Sequence, residues 1–374
     1  MNRKWIRASL ALIIAFCMIY MTIAAKGAPM IATNASAMAV IECETGQILA
    51  CDNPDDRLPM ASTTKIMTAL VVLENCADSE IVEITKESVG IEGSSIYLSL
   101  GEKMTVKDLL YGLMLASGND AAVALAVHVS GTVDGFVALM NKKAEEIGLK
   151  KTHFITPNGL HNDKHLTTAY ELCLITREAL KIPEFKEIVS TKYYTTSSGD
   201  KVRTFKNKNS LLWSYNGAFG VKTGYTSAAG RCLVFGAERD GMTVVGAVLN
   251  CRPMFETAAK LLDRAFSDYS VETIVPENTC VGKTFVENSP EKLLEVITKD
   301  SIITVMQKAT ESSFRTETEI FSPLTAPISK GETVGVLRVY SQDKLVGETD
   351  LIAGSDMKAI GFEYWWNALV RLFA

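Results

Sequence analysis

The residues best placed to do chemistry are Ser62 and Lys65, in the stretch Pro-Met-Ala-Ser-Thr-Thr-Lys at residues 59–65. A helix that begins near Ala61 brings these two side chains, three positions apart, to one face of its first turn. A serine hydroxyl is a weak nucleophile without a neighbouring base, and the N–H groups at a helix N-terminus stabilise a developing oxyanion. The spacing therefore predicts that Ser62 attacks a substrate while Lys65 takes its proton.

Lys65 can act as a base only if its amine is uncharged. A lysine with the ordinary pKa of about 10.4 is neutral in only about one molecule in 2,500 at pH 7. Burial together with a second positive charge lowers such a pKa. Lys222 is the candidate cation, in the sequence Lys-Thr-Gly at residues 222–224, and a polar loop, Ser-Gly-Asn at residues 117–119, interrupts two helical patterns.

The elements that must position these residues change in character along the chain. Apolar residues at helical spacing predict a helix after Pro59 and three more helices over about 106–116, 120–130 and 133–147, the last ended by Gly148. Strands are predicted as a hairpin over 37–51 and then near 220–224, 231–238 and 243–250, with an Asp-Gly turn at 240–241. A helix over about 254–269 follows.

A second domain is predicted after the sequence Val-Pro-Glu-Asn at residues 275–278, which has the composition of a linker. The domain boundaries are therefore 29–273 and 274–360. The second range contains short β-type runs such as 302–306 and 334–340 and no recognisable catalytic constellation. It is predicted to be a small β-rich domain that acts as a spacer or docking module.

The two ends of the chain resemble membrane-directed segments. Residues 1–28 combine three early positive charges, a long apolar run and small residues near Ala24, Ala25 and Ala28, which is the form of a signal peptide. An uncleaved anchor is the alternative, and both place the body outside the cytoplasm. Residues 361–374 are rich in aromatic residues and predict an in-plane segment at the membrane surface. The alternative is a final helix packed on the β domain.

Composition and cysteine placement exclude several classes of protein. The net charge is −5, and about −9 without residues 1–28, so the chain lacks the basic surface that binds nucleic acid. The seven cysteines beyond the signal segment cannot all pair, so buried reduced thiols are expected, with a Cys43–Cys51 bridge as the alternative. His161 and His165 are four residues apart without the Glu of a zinc-protease motif. Neither a metal site nor a cofactor is predicted.

The three polar elements, in this order, resemble the signatures of the penicillin-recognising serine enzymes: Ser-x-x-Lys at 62–65, Ser-x-Asn at 117–119 and Lys-Thr-Gly at 222–224. The chain is most similar to the low-molecular-mass penicillin-binding proteins that act as serine D-alanyl-D-alanine carboxypeptidases. The resemblance covers about residues 33–270 and extends through the β domain to the whole chain. It implies an α+β fold, with a β-lactamase/transpeptidase-like domain (an antiparallel sheet flanked by helices) followed by a small all-β domain and a C-terminal amphipathic segment.

The resemblance also implies a reaction and the residues that carry it out. Ser62 would be acylated with Lys65 as its base, while Ser117 and Asn119 relay protons and orient the substrate. The implied substrate is a peptidoglycan stem peptide that loses its last D-alanine through an acyl-enzyme. β-Lactams would be covalent inhibitors, and the enzyme would act at the extracytoplasmic face of the membrane or in the wall.

For substrate binding, the resemblance implies that Lys222 and Thr223 grip the terminal carboxylate. Gly224 lets the substrate backbone approach closely. The N–H of Tyr225 would complete an oxyanion hole with the N–H of the nucleophile, although many relatives carry His at this position. Arg252 is a further candidate for the carboxylate, because it closely follows the predicted hairpin.

Two other functions remain open. A β-lactamase of the same fold would need a carboxylate for rapid deacylation, and Glu171 is the nearest candidate, on what looks like a helix. The presence of Gly118, where class A enzymes usually show Asp, disfavours this alternative. A non-catalytic penicillin-sensing or scaffold protein would keep the pocket without turnover.

Overall fold

The computed structural model describes residues 33–199, 201–308 and 313–361. The predicted signal peptide and the predicted membrane-interface segment, apart from Gly361, lie outside the described residues. The chain divides into two compact units between Ser267 and Asp268. The predicted domain boundary at residue 274 falls several residues later.

The first unit is built on a five-stranded antiparallel sheet of order β2-β1-β11-β10-β9. Its central strands, β1, β10 and β11, are mostly buried. Helices cover the faces of the sheet, which leaves these strands little contact with solvent. Asp240 and Gly241 join β10 to β11 and both have positive φ, as a tight hairpin turn requires. The strands of this unit are β1 Ala37–Glu42, β2 Ile48–Asp52, β3 Leu58–Pro59, β4 Ile81–Glu83, β5 Lys103–Thr105, β6 Leu166–Thr167, β7 Tyr193–Thr195, β8 Thr204–Lys206, β9 Ala218–Thr226, β10 Gly230–Arg239 and β11 Met242–Leu249.

Helices supply the rest of the first unit, and two of them pass through its core. The first eight residues of α1 and of α3 are all buried. The predicted helix over 106–116 is an α-helix that continues as a π-helix, Gly112–Ala116, and Gly148 ends α4 as predicted, with φ of +85°. The helices are α1 Lys65–Asn75, α2 Val106–Tyr111, α3 Asn119–Ser130, α4 Val133–Ile147, α5 Ala169–Ala179, α6 Pro183–Ser190, α7 Leu211–Ser214 and α8 Met254–Asp268.

The second unit is a β structure, as predicted. Its main sheet has the order β16-β18-β19-β14-β13-β17, and β12 pairs with β15. Its apolar core includes Leu294, Val296, Val339 and Leu351. The strands are β12 Tyr269–Val275, β13 Cys280–Glu287, β14 Leu293–Thr298, β15 Ile302–Gln307, β16 Arg315–Ile320, β17 Leu324–Thr325, β18 Thr333–Ser341 and β19 Lys344–Ala353.

The predicted linker at residues 275–278 lies inside the second unit, where it includes the last residue of β12 and most of the connection to β13. Strand β12 was not predicted, because the helical pattern was extended to Tyr269. In the structure α8 ends at Asp268 and β12 begins at the next residue. The chain thus passes from helix to strand without a turn residue between them.

All seven cysteines of the described residues are free thiols, so the Cys43–Cys51 alternative is not adopted. Cys51, Cys173, Cys232 and Cys251 are buried, as expected for thiols in apolar runs, whereas Cys280 is exposed. Within residues 33–361, gaps excepted, no single helix has the length and apolarity to span a membrane. Helices α3 and α4 meet that criterion only as a pair bent by 85°.

Candidate active site

Ser62 and Lys65 lie where a short 3₁₀ turn, Ala61–Thr64, passes into α1. Residues three apart in a 3₁₀ turn stand one above the other, and Lys65 Nζ lies 3.1 Å from Ser62 Oγ. Ala61 has φ of +48°. Residues with a Cβ seldom adopt this left-handed conformation, and such strain concentrates at active sites. The structure thus brings the predicted nucleophile and base together on a strained turn.

The Lys65 amine is fully buried, with 0% exposure, and is surrounded by acceptors. Its Nζ lies 2.7 Å from Asn119 Oδ1 and 2.6 Å from the carbonyl oxygen of Asn158. A neutral amine has two N–H donors and one lone pair. The two donors suit these oxygens, which leaves the lone pair to accept the hydroxyl proton of Ser62.

A second buried lysine completes the polar cluster. Lys222, on β9, is 1% exposed, and its Nζ lies 3.1 Å from Ser117 Oγ and 3.0 Å from the carbonyl oxygen of Thr223. Burial, with a smaller contribution from the charge of Lys208, lowers the pKa of Lys222 to about 7. Ser117 follows the π-helix in a left-handed conformation, with φ of +65°, so a second strained residue lies at the cluster.

The same effects act on Lys65. Burial is the largest cause that holds the pKa of Lys65 well below its ordinary value, and the positive charges of Lys222 and Lys208 add to it. Asp120 acts in the opposite direction and raises this pKa. Lys222 therefore lies where the sequence analysis expected a second cation, while Lys208 was not expected.

Asn119 and Asp120, at the start of α3, fix the loop that borders the cleft. Asn119 Nδ2 donates to the carbonyl oxygen of Glu92 at 2.5 Å. The buried Asp120 carboxylate accepts the N–H groups of Ile96 and Leu98 at 3.0 and 3.1 Å. Because these bonds tie the loop to the helix that carries Asn119, Asp120 is a positioning residue that sequence reasoning missed.

Ser62 and Ser117 border a cavity of about 310 Å³ beside this polar cluster. Tyr225 is 57% exposed at its mouth. Arg231, on β10 opposite Tyr225, also borders the cavity and was not predicted. The lining residues are Ser62, Ser94, Ser117, Lys208, Thr223, Gly224, Tyr225, Arg231, Met254 and Phe255.

Gly224 lies directly against the turn that carries the nucleophile. A Cβ at this position would lie 3.1 Å from the backbone nitrogen of Ser62 and 3.2 Å from the carbonyl oxygen of Met60. These contacts are tighter than ordinary van der Waals packing, and neither partner is a mobile side chain. The absence of a side chain at Gly224 thus allows β9 to pass close to the Ser62 peptide.

Arg252 does not line the Ser62 cavity itself but lies beside it, so its predicted role in binding the carboxylate stays a prediction. It is exposed and borders a neighbouring cavity that shares Arg231, Met254 and Phe255 with the Ser62 cavity. Proximity to the hairpin in sequence was the basis for the prediction, and the short segment between β11 and α8 keeps Arg252 close in sequence to Met254, which borders both cavities. Arg231 is the arginine that borders the Ser62 cavity.

His165 supports the nucleophile turn from behind. Its Nδ1 accepts the N–H of Ile155 at 2.9 Å, so Nε2 carries the proton and donates to Thr64 Oγ1 at 2.7 Å. Thr64 in turn donates to the carbonyl oxygen of Ala61 at 2.8 Å. Burial lowers the pKa of His165 to about 4, with smaller contributions from nearby histidines. His161 is exposed and lies 3.3 Å from Asp163.

The Glu171 carboxylate is hydrogen-bonded to a segment outside the Ser62 cavity. Glu171 lies in the first turn of α5, and its carboxylate accepts the N–H groups of Lys150 and Lys151 at 2.8 and 3.0 Å and the hydroxyl of Thr152 at 2.5 Å. It does not border the Ser62 cavity. This carboxylate holds the 150–152 segment in place and does not supply the deacylating group that a β-lactamase requires.

Comparison with known proteins gives matches to both units. Residues 22–252 match the model of the family described as D-alanyl-D-alanine carboxypeptidase, and residues 269–359 match the C-terminal domain of penicillin-binding protein 5. The D-alanyl-D-alanine carboxypeptidase DacF of Bacillus subtilis is 35% identical over 342 residues, 89% of this chain and 88% of the relative.

Other relatives show the same likeness. The D-alanyl-D-alanine carboxypeptidase of Streptomyces sp. strain K15 is 41% identical over 223 residues, 55% of this chain and 77% of the relative. The crystal structure of penicillin-binding protein 5 from Haemophilus influenzae superposes with a TM-score of 0.74 at 28% identity. That match covers 89% of this chain and 100% of the other.

Proposed function

The chain belongs to the D-alanyl-D-alanine carboxypeptidase family, and from that membership we propose how its own residues divide the work of the reaction. It is a serine D-Ala-D-Ala carboxypeptidase of the penicillin-binding-protein type. The proposal rests on one observation above all, the buried Lys65 amine that lies 3.1 Å from Ser62 Oγ and has two acceptors for its own hydrogens.

In the acylation step, Ser62 Oγ attacks the carbonyl carbon of the penultimate D-alanine. The hydroxyl proton passes to Lys65 Nζ as the C–O bond forms. The resulting oxyanion is stabilised by the backbone N–H groups of Ser62 and Tyr225. The peptide C–N bond then breaks, and the leaving D-alanine nitrogen takes a proton relayed through Ser117. Water hydrolyses the ester, which releases the shortened peptide and restores Ser62.

Residues on and beside β9 orient the substrate. Lys222 and Thr223 hold the terminal carboxylate, and Asn119 keeps the Lys65 amine aligned through its 2.7 Å contact. Arg231, which borders the cavity, adds positive charge on the same side. A carboxylate bound beside Lys222 favours the charged form of that lysine, so substrate binding itself supplies the cation next to Lys65.

The test of this assignment compares two serine variants of the purified chain. Ser62→Ala is expected to abolish both covalent labelling by a fluorescent penicillin and D-alanine release from a peptide ending in D-Ala-D-Ala. The matched control is Ser227→Ala, at an exposed position in the turn between β9 and β10, which should leave both unchanged. Labelling that survives in Ser62→Ala would refute Ser62 as the nucleophile.

The same measurements separate the two alternative functions. A carboxypeptidase releases D-alanine and keeps a penicilloyl adduct for many minutes, whereas a β-lactamase turns the adduct over rapidly. A sensor would be labelled without releasing D-alanine. The Glu171 carboxylate is hydrogen-bonded to the 150–152 segment and is not placed to deacylate an adduct, which supports the carboxypeptidase over the β-lactamase.

We also propose that the enzyme is exported and acts at the extracytoplasmic face of the membrane or in the wall, on peptidoglycan stem peptides. The basic and apolar composition of residues 1–28 supports export, and the aromatic segment 361–374 supports contact with the membrane surface. Fractionation of cells that express the full chain or a chain ending at residue 360 tests the second point. Loss of membrane association in the shortened chain is the expected result.

A further inference from the structure

Outside the cavity, three potential metal ligands of different chemical types meet at one place on the first unit. Cys76 is the residue that follows α1, Glu80 lies in the turn just before β4, and His128 lies in the last turn of α3. Their Sγ, carboxylate oxygen and imidazole nitrogen atoms all lie within 4.8 Å of one another. Two segments far apart in sequence, residues 76–80 and the end of α3, thus converge on a space that a single ion could fill.

The cluster is already partly oriented. Glu80 Oε1 accepts the N–H of Ala77 at 2.6 Å, and the other carboxylate oxygen, Oε2, lies 3.1 Å from His128 Nε2. The Glu80 main chain is also fixed, because its carbonyl oxygen accepts the N–H of Val106 at 2.9 Å. The Cys76 and His128 side chains are partly exposed, so an ion can reach them from solvent.

We propose that Cys76 Sγ, Glu80 Oε2 and His128 Nε2 bind a zinc ion that ties the end of α1 to the end of α3. Thiolate, imidazole and carboxylate together form a donor set suited to zinc, at bond lengths of about 2.0–2.3 Å. The three donor atoms, which lie within 4.8 Å of one another, would reach those distances from one ion by rotation of their side chains. On binding, the thiol gives its proton to the solvent as the Zn–S bond forms, and water completes a four-coordinate shell.

The place of the cluster gives the ion a structural consequence. Helix α1 begins at Lys65 and α3 begins at Asn119, and these two side chains meet in the active site at 2.7 Å. The other ends of the same two helices meet at Cys76 and His128. The helices are 11 and 12 residues long, so the ion would lie roughly 16–18 Å from the nucleophile turn. It would clamp the pair of helices without taking part in the chemistry.

Cobalt(II) titration of the purified full chain tests this site, because a cobalt–thiolate bond has its own charge-transfer absorption and zinc displaces cobalt from such a site. One equivalent of cobalt is expected to produce the thiolate band, and zinc is expected to remove it and to raise the thermal unfolding temperature. Cys76→Ser should abolish the band. Glu80→Gln and His128→Gln should weaken cobalt binding by at least about 10-fold.

Cys280→Ser is the matched control, since Cys280 is the exposed thiol of the second unit. It should keep the band and the zinc-dependent stabilisation. Circular dichroism establishes that each variant is folded, and Glu80→Gln keeps the thiol in place if Cys76→Ser does not fold. A wild-type chain without a cobalt band, or a band that persists in Cys76→Ser, would overturn the proposal. A band lost in Cys280→Ser would overturn it as well.

Discussion

Among the residues that the structure describes, the buried charged side chains belong to the first unit of the chain, whereas the ion pairs of the second unit lie at its surface. In the first unit Lys65 and Lys222 are 0% and 1% exposed, and the carboxylate of Asp120 is 2% exposed. In the second unit Arg338 lies on the surface of the sheet between Glu319 and Glu348, with half or more of each carboxylate side chain exposed. Burying an amine is costly unless its partners are in place, whereas a surface ion pair costs and contributes little.

The contrast shows where this fold gives up stability for chemistry. Burial destabilises the charged form of Lys65 and so lowers the pKa of its amine. The uncharged amine can then act as a base, which an amine exposed to water could not do. Left-handed residues at Ala61 and Ser117 lie in the same place. The second unit has an apolar core and places its charges outside, the arrangement expected of a unit that only has to fold.

Removal of the buried base is expected to have the largest effect. Lys65→Met keeps most of the packing volume but offers no lone pair to the Ser62 hydroxyl. The rate of acylation by a fluorescent penicillin should fall by about 10²–10⁴-fold. The matched control, Lys344→Ala, removes an exposed lysine from the second unit and should leave the rate unchanged. A fall of less than tenfold in Lys65→Met would mean that another group activates Ser62.

The parts of this site that could be predicted are those with a local signature. Ser62 and Lys65 are joined by helical spacing, and residues 222–224 lie on a strand that pairs with the hairpin marked by the Asp-Gly turn. The carbonyl oxygen of Asn158 accepts a hydrogen bond from Lys65 at 2.6 Å. This contact could not be predicted, because every residue type has a backbone carbonyl and the sequence does not mark which one is used. Arg231 and Lys208 reach the cavity only through the pairing of distant segments.

The same limit applies to the fold. Single strands and helices were predictable from their periodicity, but the pairing of β1 with β11 joins residues more than 200 positions apart and leaves no local trace. Strand β12 was missed because helical and strand patterns adjoin at Asp268 and Tyr269 without a Gly or Pro between them. Asp120 looked like an ordinary helix residue, and its role depends on a loop that starts some 25 residues earlier.

The pH dependence of stability tests whether the buried ionisable groups of the first unit govern its stability. Buried His165 supports the nucleophile turn only while its imidazole is neutral. The native pKa of about 4 lies below the ordinary 6.5, so between these values the unfolded chain binds more protons than the folded chain, and stability falls as the pH is lowered. The full difference corresponds to about 3 kcal/mol. We expect the free energy of unfolding, measured by urea denaturation, to lose up to that amount between pH 7 and 4.

The loss must be assigned to His165, because carboxylates titrate in the same range. His165→Gln is expected to show a shallower dependence on pH than the wild type. The exposed His161→Gln should keep nearly all of the wild-type slope, because His161 makes only a small contribution to the lowered pKa of His165 and lies outside the Ile155–His165–Thr64 chain of hydrogen bonds. Identical slopes in wild type and His165→Gln would mean that the buried imidazole does not govern acid stability.

The smallest effect is expected in the second unit, from Arg338→Ala. This change removes contacts of 2.8 Å to Glu319 and 3.2 Å to Glu348. Because the carboxylates are exposed and screened by water, the free energy of unfolding should fall by under about 1 kcal/mol, with still less effect in high salt. Urea denaturation of the wild type and the variant at low and high ionic strength measures both quantities. A loss well above this value that salt does not reduce would show that the second unit also depends on desolvated charge, and the contrast between the units would then fail.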